Sequence, residues 1–313
     1  MLEENFGIVF IMIKKNLATK LVSISFLILS GPISAESFQD GLIDKLKRSI
    51  TEIGFKKDHI ISDDGVMINY YIKGSEKKAL VFVHGYSCSS EYWWPQLEYF
   101  SKNYTTIAVD LAGHGKSGLN RKEYSMEAFG DDVKSVIEHL DLDKVVLIGH
   151  SMGGPVIVKA ASSLGMKTRL IIGVDTFHDL TTEGIGGFAR IAVNTMFQLF
   201  YDSMTEDSID DFFIEKTDND LEDWIRNDAL KSPKNISQGT LDALLTMNYP
   251  ESLSELSVPM IALNARSFRE TKLDSNFDAY KDLQIEFMED VGHFIMLERP
   301  DEFNKWLETK ISE

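Results

Sequence analysis

The chain is poor in cysteine and in positive charge. Cys88 is its one cysteine among 313 residues, so no disulfide can close within the chain and no cysteine-built metal cluster can form. Thirty-two Lys and Arg stand against 49 Asp and Glu, a formal net charge of −17. Such a surface has no electrostatic grip on a nucleic-acid backbone or on anionic lipid, and it leaves small neutral or cationic molecules as partners. There is no internal repeat and no low-complexity tract, which excludes solenoids and flexible arrays. A composition of 43% hydrophobic and 26% charged residues suits one large folded domain, or one domain carrying an insertion.

A run of apolar residues long enough to span a bilayer is also missing. Leu21 to Leu29 is the nearest to one, and it is too short. Lys14, Lys15 and Lys20 precede it, and the small residues of Ser30-Gly31-Pro32-Ile33-Ser34-Ala35 follow it. Basic start, apolar middle and small-residue end predict a secretory signal peptide over residues 1–35, cleaved after Ala35. An uncleaved anchor helix is the alternative. The patch Phe6 to Ile13 ahead of the lysines is unusual for a signal, and Met12 followed by Ile13-Lys14-Lys15 reads as the true start. Export places the mature protein outside the cytoplasm, secreted or periplasmic, with no stable membrane insertion after cleavage.

What the chain does have is a rhythm of strands and helices. Residues 36–54 carry one apolar helical face. Strands are expected near 55–61 and 66–72, joined by the hairpin signal Ser62-Asp63-Asp64-Gly65. Further strands are expected at 79–83, 105–109, 145–149, 170–174, 260–263 and 285–288, with helical patterns between them. The count is eight strands in a mostly parallel sheet with helices on both faces. Residues 179–250 break the rhythm with helical segments alone, from Phe188 to Tyr201, Leu221 to Leu230 and Thr240 to Met247. The division expected is thus a core of residues 36–178 and 251–313 with an insertion at 179–250. Ligands of such sheets bind at the carboxyl ends of the strands.

The stretch Val145-Val146-Leu147-Ile148-Gly149-His150-Ser151-Met152-Gly153-Gly154 stands at one of those ends. A strand that must turn at once into a helix crowds its own backbone, and Gly on either side of Ser151 removes the colliding Cβ atoms. This is the Gly-x-Ser-x-Gly nucleophile elbow, with the serine oxygen held clear at the top of the sheet. A glycine-rich strand–helix turn with an idle serine is the plainer alternative. A serine hydroxyl needs a base and oxyanion donors to act as a nucleophile. Of the seven histidines, His150 lies in the elbow, His84 in a His-Gly turn, His114 in a Gly-rich loop, His59 in a strand, His139 in a helix, and His178 opens the insertion. His293 follows the last strand, with Gly292 ahead of it to free the backbone, and is the base by position.

Four motifs in this order, His84-Gly85, the loop Asp110 to Ser117, Gly149-His150-Ser151-Met152-Gly153-Gly154 and Gly292-His293-Phe294, resemble the α/β-hydrolase superfamily over about residues 55–311. The resemblance implies an eight-stranded sheet with a helical cap inserted after strand six. It implies Ser151 as nucleophile, His293 as base, and the backbone N–H groups of Tyr86 and Met152 as oxyanion donors. A serine at the elbow, rather than aspartate, argues against the haloalkane and epoxide branches. Many relatives carry the acid of the triad just after strand seven. Here that segment, Asn264-Ala265-Arg266-Ser267-Phe268-Arg269-Glu270, has no Asp. Asp175, closing strand six, is the other position the family uses and is preferred, with Glu270 as the alternative. Geometry decides between acids that can each reach a base.

Other conspicuous residues receive plainer readings. Asp110 is expected to hold a turn and Cys88 to be a small packed residue. Asp218-Asn219-Asp220-Leu221-Glu222-Asp223 lacks the turn glycine of a calcium loop and reads as a solvated helix face or loop. Aromatic residues of the insertion, together with Tyr86, Tyr92, Trp93 and Trp94, are candidates to line an apolar cleft. The whole reads as a secreted or periplasmic serine hydrolase of a small carboxylic ester, using no metal and no cofactor. A ligand-sensing relative with slow or absent turnover, and an interaction scaffold with a dead site, are the competing readings.

Overall fold

The computed structural model describes residues 36–201, 205 and 209–312. The expected signal peptide, its cleavage point and the alternative start at Met12 lie outside the described residues. Eight strands form one sheet: β1 (Lys56–Ile61), β2 (Met67–Lys73), β3 (Lys78–Val83), β4 (Thr105–Val109), β5 (Lys144–His150), β6 (Thr168–Val174), β7 (Met260–Ala265) and β8 (Leu283–Met288). Their order is β1-β2-β4-β3-β5-β6-β7-β8. The hairpin β1–β2 and the pair β2–β4 are antiparallel, and all later pairs are parallel. Each strand expected from the sequence is present, extended by a residue or two at some ends.

The helices are α1 (Glu36–Leu46), α2 (Trp94–Phe100), α3 (Met126–His139), α4 (Gly153–Leu164), α5 (Gly187–Leu199), α6 (Asn219–Ala229), α7 (Lys234–Leu245), α8 (Tyr249–Ser254), α9 (Leu273–Ala279), α10 (Ile295–Glu298) and α11 (Pro300–Ser312). From α5 to α8 the chain inserts helices between β6 and β7, where the sequence loses its strand rhythm. Asp218 accepts a bond from Leu221 N–H at 3.0 Å and so caps α6; the acidic stretch is a helix start.

Successive residues of a strand point to opposite faces, and β5 shows why its run of apolar residues is needed. Val145 and Leu147 pack with Phe129, Val133, Val156 and Ile157 of α3 and α4. Val146 and Ile148 pack on the other face with Trp93, Trp94, Phe100 and Phe303. Trp93 and Trp94 are fully buried in that layer beneath the sheet. Each large side chain removed from water in this way stabilises the fold by about 1.5–3 kcal/mol. Polar bonds then tie the hairpin to the core. The Arg121 guanidinium forks onto Asp132, with two bonds of 2.8 Å, and reaches Asp64 of the β1–β2 turn at 2.8 Å. The arrangement leaves the carboxyl ends of β3, β5, β6, β7 and β8 together at one edge.

Candidate active site

The elbow is built by exclusion of side chains. A Cβ placed on Gly149 would stand 2.4 Å from the Gly153 carbonyl oxygen, and one on Gly153 would stand 2.5 Å from that of Val83. Gly85 of the His-Gly turn passes less closely but still tightly: its Cβ would lie 3.0 Å from His150 Nδ1 and 3.2 Å from the Ser151 Cβ. Three backbones therefore interlock, and Ser151 is left at the apex with φ of 52°. A left-handed serine costs about 1–3 kcal/mol. Ser151 N–H donates to the Val174 carbonyl at 3.0 Å, and the Ser151 carbonyl accepts Gly154 N–H at 2.9 Å. Those bonds hold the strained conformation. His150 points into the protein, where its Nε2 bonds the His293 carbonyl at 3.0 Å. Burial keeps that ring far below the ordinary histidine range, hence neutral.

Asp175 leaves β6 with φ of 47° and is buried. Its Oδ2 is 2.5 Å from His293 Nδ1, and its Oδ1 accepts Ala265 N–H at 2.8 Å. Burial pushes the Asp175 carboxyl up to about 6, against the pull of His178 and the Ala265 N–H. Burial, with the nearby Arg269 cation, draws His293 well below its ordinary value. Near neutral pH this leaves a carboxylate accepting from a neutral imidazole, with the other ring nitrogen unprotonated. Glu270 is exposed at the mouth of the same cavity. Of the two acids, Asp175 is the one in contact with His293.

The loop around His293 is clamped residue by residue. Glu298 accepts Gly292 N–H at 2.9 Å, Phe294 N–H at 3.2 Å and the Thr217 hydroxyl at 3.0 Å. His293 N–H itself donates to the Phe212 carbonyl at 2.8 Å. Three consecutive backbone donors are thereby satisfied, two by one half-buried carboxylate and one by the inserted segment. Gly292 is needed for space rather than for backbone freedom, since a Cβ there would lie 2.6 Å from the Phe212 oxygen and 2.8 Å from Glu298 Oε1. The imidazole packs against two phenyl rings, Phe212 at 4.7 Å and Phe268 at 4.5 Å, which also touch each other at 5.9 Å.

Ser151, Asp175 and His293 border one cavity of about 340 Å³. Tyr86, Tyr92, Phe197 and Phe212 contribute to its wall, and its lining is mostly apolar. Trp93 and Trp94, candidates for the same wall, lie in the core instead, because their side of the chain packs under the sheet. Phe188 and Phe200 of the insertion are exposed. Met152 precedes the first turn of α4, where helix N–H groups lack intrahelical partners. Tyr86 follows the turn that abuts the elbow, and its hydroxyl donates to the Ser237 carbonyl of α7 at 3.1 Å. Asp110 accepts Ser90 N–H, Lys116 N–H and the Asn69 amide at 2.8–2.9 Å, the work of a turn anchor. Cys88 is buried, and burial raises its thiol far above the ordinary range.

Sequence reading missed Phe268, Glu298, His178 and Arg269. Glu298 carried one cue, its place in the segment between His293 and Pro300. The rings gave none, because Phe212 and Phe268 reach His293 from different elements.

An interlocked elbow and a buried Asp–His pair on the top edge of an eight-stranded, mostly parallel sheet define the α/β-hydrolase class. The alpha/beta hydrolase family model matches residues 80–306, and the chain belongs to that family. It is similar to (E)-2-((N-methylformamido)methylene)succinate hydrolase of Acinetobacter baylyi, 40% identical over 27% of this chain and 32% of the relative. It is 33% identical to 2-(acetamidomethylene)succinate hydrolase of Mesorhizobium japonicum over 46% of this chain and 53% of that one. Those matches cover less than two thirds of either relative. The solved thermophilic esterase from Thermogutta terrifontis superposes with a TM-score of 0.71 at 20% identity, over 82% of this chain and 98% of that one, and shows the shared fold. Esterases, lactonases and epoxide hydrolases are among the neighbours.

Proposed function

We propose that this hydrolase cleaves a small, largely apolar carboxylic ester through an acyl-enzyme on Ser151. One observation carries the reading: a buried Asp175–His293 pair borders the same apolar cavity as a serine held at φ of 52°. His293 Nε2 takes the Ser151 proton as Oγ attacks the ester carbon. The tetrahedral oxyanion is held by the N–H groups of Tyr86 and Met152. His293 then returns the proton to the departing alkoxide, and the alcohol leaves. A water deprotonated by His293 attacks the acyl-enzyme, and the acid is released with Ser151 restored. Asp175 keeps Nδ1–H engaged, so that Nε2 is the basic nitrogen, and stabilises the imidazolium of each transition state.

The apolar wall supports an acyl or alcohol group of few carbons, and the basic–apolar–small pattern of residues 1–35 supports action outside the cytoplasm. Labelling with a fluorophosphonate and burst kinetics on p-nitrophenyl acetate test the proposal. Ser151 is expected to be the labelled residue, and Ser151→Ala to lower kcat by about 10⁶. An unlabelled folded protein would sink the enzyme reading. Labelling with a burst but almost no turnover would point to a ligand sensor.

A further inference from the structure

Beyond Asp175 the cavity wall holds two buried donors with no acceptor, Arg269 Nε and His178 Nε2. The proton of His178 is assigned by its neighbours. Its Nδ1 lies 2.9 Å from the Thr271 hydroxyl and 3.4 Å from the Asn264 amide nitrogen. Asn264 also donates to the Thr271 oxygen at 3.1 Å, which turns the hydroxyl proton toward Nδ1. Nδ1 is therefore the acceptor, and the neutral ring carries its proton on Nε2. That N–H is 3.6 Å from Asp175 Oδ1, beyond hydrogen-bond reach, and Oδ1 is already taken by Ala265 N–H.

Arg269 is half-buried, with its guanidinium 5.4 Å from the Phe268 ring centre. An arginine stays charged in any protein, and a partly desolvated cation is unfavourable unless a hydrogen-bonded counter-charge meets it. The carboxylate that acts on it is Asp175, whose two oxygens serve His293 and Ala265. The other charges of the wall do not fill the role. Asp179 is paired with Lys272 at 3.0 Å. Glu183 and Glu270 are exposed, where water and salt screen them.

We infer that Arg269 and His178 form an anion-recognising subsite, and that the ester this cavity takes carries a free carboxylate, as a half-ester of a dicarboxylic acid does. The inference rests on the ester-hydrolase reading and narrows it. A carboxylate there neutralises the guanidinium, and the two orphaned donors, enclosed in the wall as it stands, turn to meet it, while the apolar wall holds the carbon chain between it and the scissile bond. Hydrogen bonds to a charged group in a water-poor site discriminate strongly, because the ligand lacking the charge leaves both donors unpaired. Arg269 as a mere counter-ion of Asp175 is the competing role, and it favours no carboxylate in the ligand.

Monoethyl succinate and diethyl succinate share the ester and differ in one negative charge. Wild type is expected to show a kcat/KM at least about tenfold higher for monoethyl succinate, by pH-stat titration, and Arg269→Met to lower that ratio about tenfold or more, with Arg269→Lys intermediate. The Ser151→Ala chain is expected to bind monoethyl succinate more tightly than diethyl succinate by calorimetry, and this binding arm does not depend on turnover. Equal binding, or tighter binding of the diester, overturns the subsite. So does an Arg269→Met variant that slows both esters by one factor and moves the pH profile. Preferential binding of the monoester without turnover, in a chain the fluorophosphonate leaves unlabelled, upholds the subsite and rejects the hydrolase reading. Since the wild-type comparison needs no variant, a misfolded Arg269→Met leaves the test intact.

Discussion

Strands β6 and β7 lie side by side, and their exits are built in opposite ways. Past β6 the chain stays buried through Asp175, Thr176, Phe177 and His178, with Asp175 and Phe177 in the left-handed region. Past β7 it surfaces at once: Arg266, Ser267 and Glu270 are exposed. The strained exit is affordable because its neighbour clamps it. Asp175 N–H donates to the Leu263 carbonyl at 2.8 Å, Thr176 N–H to Asn264 Oδ1 at 3.2 Å, and Asn276 of α9 donates to the Phe177 carbonyl at 2.8 Å. The β7 exit returns one backbone N–H to the Asp175 carboxylate. One strand thus presents an acid and the other fixes it. An acid that must orient an imidazole needs a rigid, water-poor seat, and Glu270 has neither.

The largest effect expected along this contrast is at Asp175. Asp175→Asn is predicted to lower kcat by about 10⁴ in steady-state ester hydrolysis, by favouring the wrong tautomer of His293. A loss of tenfold or less would remove Asp175 from its role. The same carboxylate sets the pH dependence. Its pKa is raised by burial to about 6, so it is ionised above that value and takes up a proton below it. A protonated Asp175 cannot stabilise the imidazolium, and kcat/KM is predicted to be flat above pH 7 and to fall about tenfold per unit below pH 6. A profile still flat at pH 5 would contradict the burial argument. Glu270→Gln comes last, with kcat/KM within about twofold of wild type, as befits an exposed side chain. If Glu270→Gln cost more than Asp175→Asn, the two exits would have to exchange roles.

Much of this was legible in the residues. The alternation of apolar runs located all eight strands, since side-chain period and burial on both faces are local properties. Gly149 and Gly153 marked the elbow because close backbone approach leaves no room for a Cβ, and a single residue type meets that demand. His293 was legible from its place after the last strand. The cleft was read less well: Tyr86 and Tyr92 border it, whereas Trp93 and Trp94, next in the chain, turn into the core. Adjacent aromatics on a short turn face different ways, and composition does not reveal which.

The amino-acid sequence by itself determined the sheet, the elbow that carries Ser151 and the place of His293 after the last strand, because each rests on local spacing. Tertiary structure alone brought Asp175, and not Glu270, against His293, packed Phe212 and Phe268 together against that ring, bound Glu298 to both neighbours of that histidine, and left Arg269 and His178 with unpaired donors. All of these are contacts between segments distant in the chain, and their energies depend on distance and burial. Neither quantity exists until the strands and the inserted helices are packed together.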